Sequence, residues 1–284
     1  MIGIIDVGGG MRGIYTSGLF DYLMDKGISF KYYIGVSSGS ANLITYAAGQ
    51  RGRTYKFYTE YAFEKDYMGV GAYIKHGMLM DLNYIFSSLS NSDGKSPLDY
   101  DAIMNSDFEF TAVSTHMKTL TPKYFTKKDI KPNDFSILKA AAAMPVACRN
   151  PVKVDGELYF DGGLSDPIPY QKAFDDGCDK VVVCLTKPEH ERKTILPWYI
   201  VKPLLIKYPK VADSVLDLHT KYNAGVEGAL KLQEEGKVLV VAPNECFGIN
   251  TITRELEGLN KLYELGYKDG RKIEEFLIKN EQFV

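Results

Sequence analysis

The chain is short of the residues that mark several common chemistries. Its four cysteines (Cys148, Cys178, Cys184 and Cys246) form no C-x-x-C pair. That argues against a disulfide framework or a thiolate zinc site and is what reduced thiols in a cytoplasmic protein look like. No calcium loop, zinc-ligand spacing or cofactor motif is present, so metal- and cofactor-independent chemistry is expected. Formal net charge is −2 and the pI about 6.1, which leaves no basic field for nucleic acid. No run of about 18 uninterrupted apolar residues exists, so no spanning helix is expected. Met1 leads straight into Gly3-Ile4-Ile5-Asp6-Val7 without a basic region, so no secretory leader is expected either. Internal repeats and low-complexity tracts are absent.

What is present is alternation. With 45 % hydrophobic residues in 284, the chain can bury a large α/β core. Strand-like runs at 2–7 and 31–36 are each followed by helical runs, 13–26 and 38–49, which predicts parallel strands with crossover helices. In the first helix Ile14, Gly18, Leu19, Tyr22 and Leu23 share a face, with Asp21, Asp25 and Lys26 turned away. Residues 51–106 are polar and aromatic and are expected to hold two or three short helices. A strand over 108–114 pairs with 123–126 as a hairpin, and Ser136 caps an alanine-rich helix over 137–143 that Pro145 ends. A short strand at 157–160 leads into Asp161, and the β-branched runs 180–185 and 237–241 fit buried parallel strands. The expected division is a core over 1–186 and a helical extension over 187–284, packed on the core and contributing one core strand at 237–242.

Three motifs carry chemistry. Gly35-Val36-Ser37-Ser38-Gly39 stands between a strand and a helix, the G-x-S-x-G arrangement that lifts a serine hydroxyl above a sheet at the positive end of a helix. Gly8-Gly9-Gly10-Met11-Arg12-Gly13 also joins a strand to a helix. A dinucleotide loop would need an acidic residue closing the second strand, and that place holds Gly35-Val36-Ser37 instead. The competing reading is a set of glycine amides converging as an oxyanion hole, with Arg12 fixing the loop or meeting an anionic head group. The third motif is Asp161-Gly162-Gly163 at a strand end. A histidine base fits poorly. His190 lies in a charged run, His219 on a helix beside Asp217 and Lys221, and His76 and His116 are isolated.

In their order and spacing, and in the alanine-rich helix and proline before Asp161, these motifs resemble the patatin-like phospholipases. The similarity covers residues 2–170. The later Tyr222-Asn223, Ile252-Thr253-Arg254 and Leu262-Tyr263-Glu264-Leu265-Gly266 look like the C-terminal part of one bacterial branch of that family. The resemblance implies a three-layer α/β/α fold with a mostly parallel central sheet. It also implies a lipid acyl hydrolase working by a Ser37–Asp161 dyad, with an oxyanion hole at Gly8, Gly9, Gly10, Arg12 and Gly13. Gly35, Gly39, Gly162 and Gly163 would support the elbow and the dyad. One departure is Val7, where many relatives carry an acidic residue, with Asp6 one step earlier.

An ester-lipid substrate implies peripheral contact with a membrane, at the inner face for a cytoplasmic protein. The run 195–208 is the candidate surface, since it is apolar, carries the single tryptophan, Trp198, and is punctuated by lysines. A helix packed on the core is the alternative for that run. Two other classes fit the same motifs: an acyltransferase, and a non-catalytic lipid-binding or regulatory protein. Nothing in the sequence speaks to oligomeric state or to which ester lipid is used.

Overall fold

The structure is a computed structural model that describes residues 1–65 and 67–280. Strand β1 (Ile2–Asp6) leads through the glycine loop to α1 (Ile14–Asp25), and β2 (Tyr32–Val36) leads through the serine turn to α2 (Ser38–Ala47). The polar and aromatic stretch that follows is more finely divided than the sequence suggests. It holds α3 (Arg53–Thr59), α4 (Val70–His76), a π-helical turn (Tyr84–Leu89) and α5 (Tyr100–Asn105). No continuous apolar stripe runs through it to support a long helix.

Next come β3 (Glu109–His116) and its hairpin partner β4 (Pro122–Thr126), then α6 (Ser136–Ala141). Ser136 is not the cap of α6. Phe135 holds that position, and the Asp134 side chain accepts the Ser136 amide at 3.0 Å. A short β5 (Val152–Val154), unforeseen in the sequence, forms a hairpin with β6 (Glu157–Asp161). The chain then runs through α7 (Tyr170–Asp175), β7 (Lys180–Cys184), α8 (Trp198–Lys207), α9 (Pro209–Glu234), β8 (Val238–Val241) and α10 (Leu256–Lys279).

The strands form one mixed sheet in the order β5-β6-β3-β2-β1-β7-β8, with β4 paired to β3. From β3 to β8 the neighbours are parallel, while β4, β5 and β6 make the antiparallel part. Because side chains alternate along a strand, Ile2 and Ile4 join the layer of α1, α2, α6 and α10, while Ile5 and Val7 join that of α7 and α9. The result is the expected three-layer α/β/α arrangement.

The sequence reading of α1 fails at Asp21. Its side chain is fully buried and accepts the Gly52 amide at 3.0 Å and the Tyr263 hydroxyl at 2.8 Å. The reason is α10, which packs along α1 so closely that a Cβ on Gly266 would lie 1.9 Å from the Tyr15 carbonyl oxygen. Helix α1 is therefore covered on a side that local periodicity reads as solvent. Helix α8 meets the core through Val201 and Leu204, whereas Trp198 (66 % exposed) and Ile206 (81 %) face outward. Among the described residues no helix is long and apolar enough to cross a membrane.

Candidate active site

Ser37 stands alone between β2 and α2 with φ 56° and ψ −135°. A non-glycine residue in that region costs about 1–3 kcal/mol and persists only where its surroundings impose it. Here the surroundings are backbone. A Cβ on Gly39 would sit 2.3 Å from the Asp6 carbonyl oxygen, and one on Gly35 2.4 Å from the Ser40 Cα. The two glycines let β1 and the start of α2 close against the turn, which leaves Ser37 at the positive end of α2.

The glycine loop is held by Asp6. Its Oδ1 accepts the Gly8 amide at 2.8 Å and its Oδ2 the Thr16 hydroxyl at 2.6 Å, with Asn42 Nδ2 at 3.5 Å. Burial pushes the Asp6 carboxyl up to about 6, against the pull of those donors. The acidic residue displaced from position 7 thus fastens the loop from position 6. The Gly9 amide is also engaged, with Ser38 Oγ at 3.0 Å, and the Met11 amide donates to the Thr251 carbonyl at 3.0 Å. Among the described residues the Gly10 amide has no hydrogen-bond partner, and Gly10 lines the space beside Ser37. Arg12 is largely buried, its Nε has no hydrogen-bond partner among the described residues, and burial pushes its guanidinium pKa down. Gly13 packs under the Tyr58 hydroxyl, away from the open space.

Asp161 arrives by sheet register. Val36 pairs with Val113 on β3, and the next β3 residue, Ser114, pairs with Asp161 on β6. Gly162 then lies against the Val113 carbonyl, where a Cβ would come within 2.3 Å. The Asp161 carboxyl is fully buried. Its Oδ1 accepts the Gly163 amide at 2.8 Å, and its Oδ2 has no hydrogen bond among the described residues. Burial pushes this carboxyl up to about 6, opposed by the Ser37 hydroxyl, the Gly163 amide and the charge of Lys193. The serine hydroxyl is near enough to favour the carboxylate but does not reach Oδ2 in hydrogen-bond alignment. Catalytic hydrogen bonds are often loose until substrate is bound.

Two cavities meet at Ser37, sharing Gly10, Met80, Leu82 and Ala142. The smaller is apolar, walled by Ala41, Ile44, Phe57, Phe86, Leu89 and Leu138. The wider one reaches Asp161 and is edged by Arg12, Lys187, Arg192, Lys193 and Tyr222. None of the four histidines lines either cavity. His219 hydrogen-bonds the Leu216 carbonyl at 2.7 Å, His116 contacts Glu157, His76 lies near Asp81, and His190 is exposed.

The sequence profile of the family described as patatin-like phospholipase matches residues 7–174, more than half of the chain. The chain belongs to this family. A second profile, described as a domain of unknown function (DUF6363), matches residues 208–279, the stretch that holds α9, β8 and α10. The uncharacterized protein YjjU of Escherichia coli strain K12 is 29 % identical over 191 residues, 66 % of this chain and 52 % of that protein. The chain therefore spans about half the length of the curated relative it matches. Among solved structures, VipD from Legionella pneumophila aligns at a TM-score of 0.47 and 12 % identity, covering 95 % of this chain and 66 % of that one.

In this patatin-like chain the three motifs come together at one point, and the two cavities border the same serine. Sequence reasoning did not single out Ser38 or Lys193. Ser38 lies inside the Gly35–Gly39 turn, and its place next to Ser37 is the available signal. Lys193 lies at the end of the charged run 189–193, where nothing local separates it from a solvated lysine.

Proposed function

We propose that this patatin-like chain is a serine lipid acyl hydrolase using Ser37 and Asp161. The observation that carries the reading is a strained serine facing a buried carboxyl whose Oδ2 has no hydrogen-bond partner among the described residues. Ser37 Oγ attacks the ester carbonyl carbon while its proton passes to Asp161. The tetrahedral oxygen anion is met by the Gly10 amide and the N-terminus of α2. Collapse expels the alcohol, which takes the proton from Asp161 and leaves an acyl-enzyme. Water, deprotonated by Asp161, then releases the carboxylic acid and restores Ser37.

A carboxyl raised to about 6 is a better proton acceptor than an ordinary aspartate near 4, which narrows the mismatch with a serine hydroxyl. Each oxyanion donor is typically worth about 10²–10³ in rate. The apolar cavity suits an acyl chain and the wider one the alcohol portion. The exposed apolar side chains of α8, with Lys202 and Lys207 among them, suit peripheral contact with a lipid surface.

The test combines covalent and kinetic readouts. A fluorophosphonate probe should label the wild type and not Ser37→Ala, and p-nitrophenyl esters of graded chain length should be cleaved only by the wild type. Labelling that survives Ser37→Ala, or equal turnover in both proteins, would refute the assignment.

A further inference from the structure

The wider cavity holds more positive charge than its own carboxylates neutralise. Lys187 pairs with Glu191 at 3.1 Å, and Arg192 pairs with Glu227 at 3.5 Å while donating to the Glu189 carbonyl. Among the described residues Lys193 and Arg12 form no ion pair, and no hydrogen bond reaches the Lys193 ammonium or Arg12 Nε. Lys193 is nonetheless well placed. Its backbone is held by two reciprocal bonds with the Asn223 side chain, at 2.8 and 2.9 Å, and its Nζ stands 3.8 Å from the centre of the Tyr222 ring. A lysine with its main chain pinned and its head resting on an aromatic face has surrendered much of its freedom before any ligand arrives.

We propose that Lys193 is a specificity-determining residue that binds a phosphoryl group on the alcohol side of the scissile ester. This rests on the hydrolase reading for the identity of that ester, since the apolar cavity takes the acyl chain and leaves the alcohol to the cationic one. Arg12 and Lys193 repel each other, and both are partly desolvated, so an anion placed between them relieves two unfavourable terms at once. Asp161 is the carboxylate that attracts Lys193, yet it forms no ion pair with it and is required elsewhere as the proton acceptor. Burial and the cationic neighbours Arg12 and Lys187 push the Lys193 ammonium down to about 8, which leaves it mostly charged at neutral pH. The apolar cavity also has a cation on its wall, Arg53, but that guanidinium already donates to the Ser96 carbonyl and to the Thr45 and Ser90 hydroxyls, so the uncommitted charge lies on the alcohol side.

The decisive experiment measures binding without turnover, in the Ser37→Ala background, using 1-octanoylglycerol and 1-octanoylglycerol 3-phosphate below their micellar concentrations. Calorimetry should show that adding Lys193→Met weakens the phosphate ester by about tenfold or more, as expected for loss of one charge-assisted contact. The neutral ester should bind equally with either residue, and Lys193→Arg should restore most of the affinity. With Ser37 intact, the same substitution should raise KM for the phosphate ester about tenfold more than for the neutral one, while any effect of the lost charge on the Asp161 carboxyl changes kcat equally for both esters. Equal losses on both esters would mean that Lys193 acts through Asp161, and would overturn the proposal. Inorganic phosphate binding as tightly as the phosphate ester would overturn the assignment to the alcohol portion. Failure of the hydrolase reading would show separately, as wild-type protein that binds the esters without cleaving them.

Discussion

Ser38 Oγ accepts the Gly9 amide at 3.0 Å, so the residue after the strained serine is tied to the glycine loop. The bond joins the β2–α2 turn to the β1–α1 loop and sets the position of Gly10 relative to Ser37. A donor held in place before the reaction costs no reorganisation when charge develops. Ser38→Ala is expected to lower kcat on a p-nitrophenyl ester by about tenfold or more, while costing no more than about 1–2 kcal/mol of stability. Steady-state kinetics with urea unfolding checks both parts, and an unchanged kcat would mean that the tie has no catalytic consequence.

The ionisation of Asp161 should govern the acidic side of the rate profile. With its carboxyl near 6, kcat/KM should rise as pH increases through about 6 and level off above it. Asp6 titrates in the same range but faces the loop. Asp161→Asn should abolish nearly all turnover, whereas Asp6→Asn should lower the rate and keep the pH limb. Initial rates from pH 4.5 to 8 on a neutral ester distinguish the two.

The same carboxyl should cost stability. In the folded protein Asp161 keeps a proton that the unfolded chain releases near its ordinary value of 3.8, so stability falls as pH rises from about 4 to about 6. Asp161→Asn removes this penalty. The variant should exceed the wild type by about 1–3 kcal/mol at pH 7.5, with the difference shrinking to nothing near pH 4. Urea titrations at several pH values give the difference curve, and a variant less stable at pH 7.5 would contradict the expectation.

Chain-length preference should respond to the wall of the apolar cavity. Ala41 lies on α2 and lines that cavity without reaching the cationic one. Each added methylene of a buried acyl chain is worth about 0.8 kcal/mol until the space is full. Ala41→Leu should therefore leave acetate esters unaffected and cut kcat/KM for long-chain esters by about tenfold. Parallel loss on all chain lengths would place the acyl group elsewhere.

Helix α8 should report on lipid surfaces. Trp198 and Ile206 are exposed large apolar side chains on a helix whose Val201 and Leu204 hold it to the core. The double variant Trp198→Ala, Ile206→Ser should float less with vesicles containing anionic lipid, at unchanged thermal stability. Its cleavage of a water-soluble ester should match the wild type.

Much of the site was legible because its parts are local. A glycine-flanked serine between a strand and a helix, and an aspartate ending a strand before two glycines, are patterns of a few residues each. Their order led to the family, which in turn pointed to Asp161 over the histidines. The reading failed where a distant element decides the outcome. The local pattern turns Asp21 to solvent because nothing near it announces α10, which comes from the far end of the chain and buries it. Ser136 looked like a cap, yet the Asp134 carboxylate takes its amide.

The sequence by itself determined the class of fold and marked the serine, the glycine loop and the aspartate as candidates, since strand-turn-helix signals and backbone sterics act within a few residues. Tertiary structure decided which loop amide stays free, because Asp6 takes that of Gly8 and Ser38 that of Gly9. It also placed Lys193 beside Tyr222 at the cavity edge and Ser114 in register with Asp161. Those outcomes depend on hydrogen bonds, register and desolvation between segments far apart in the chain, which no local pattern encodes.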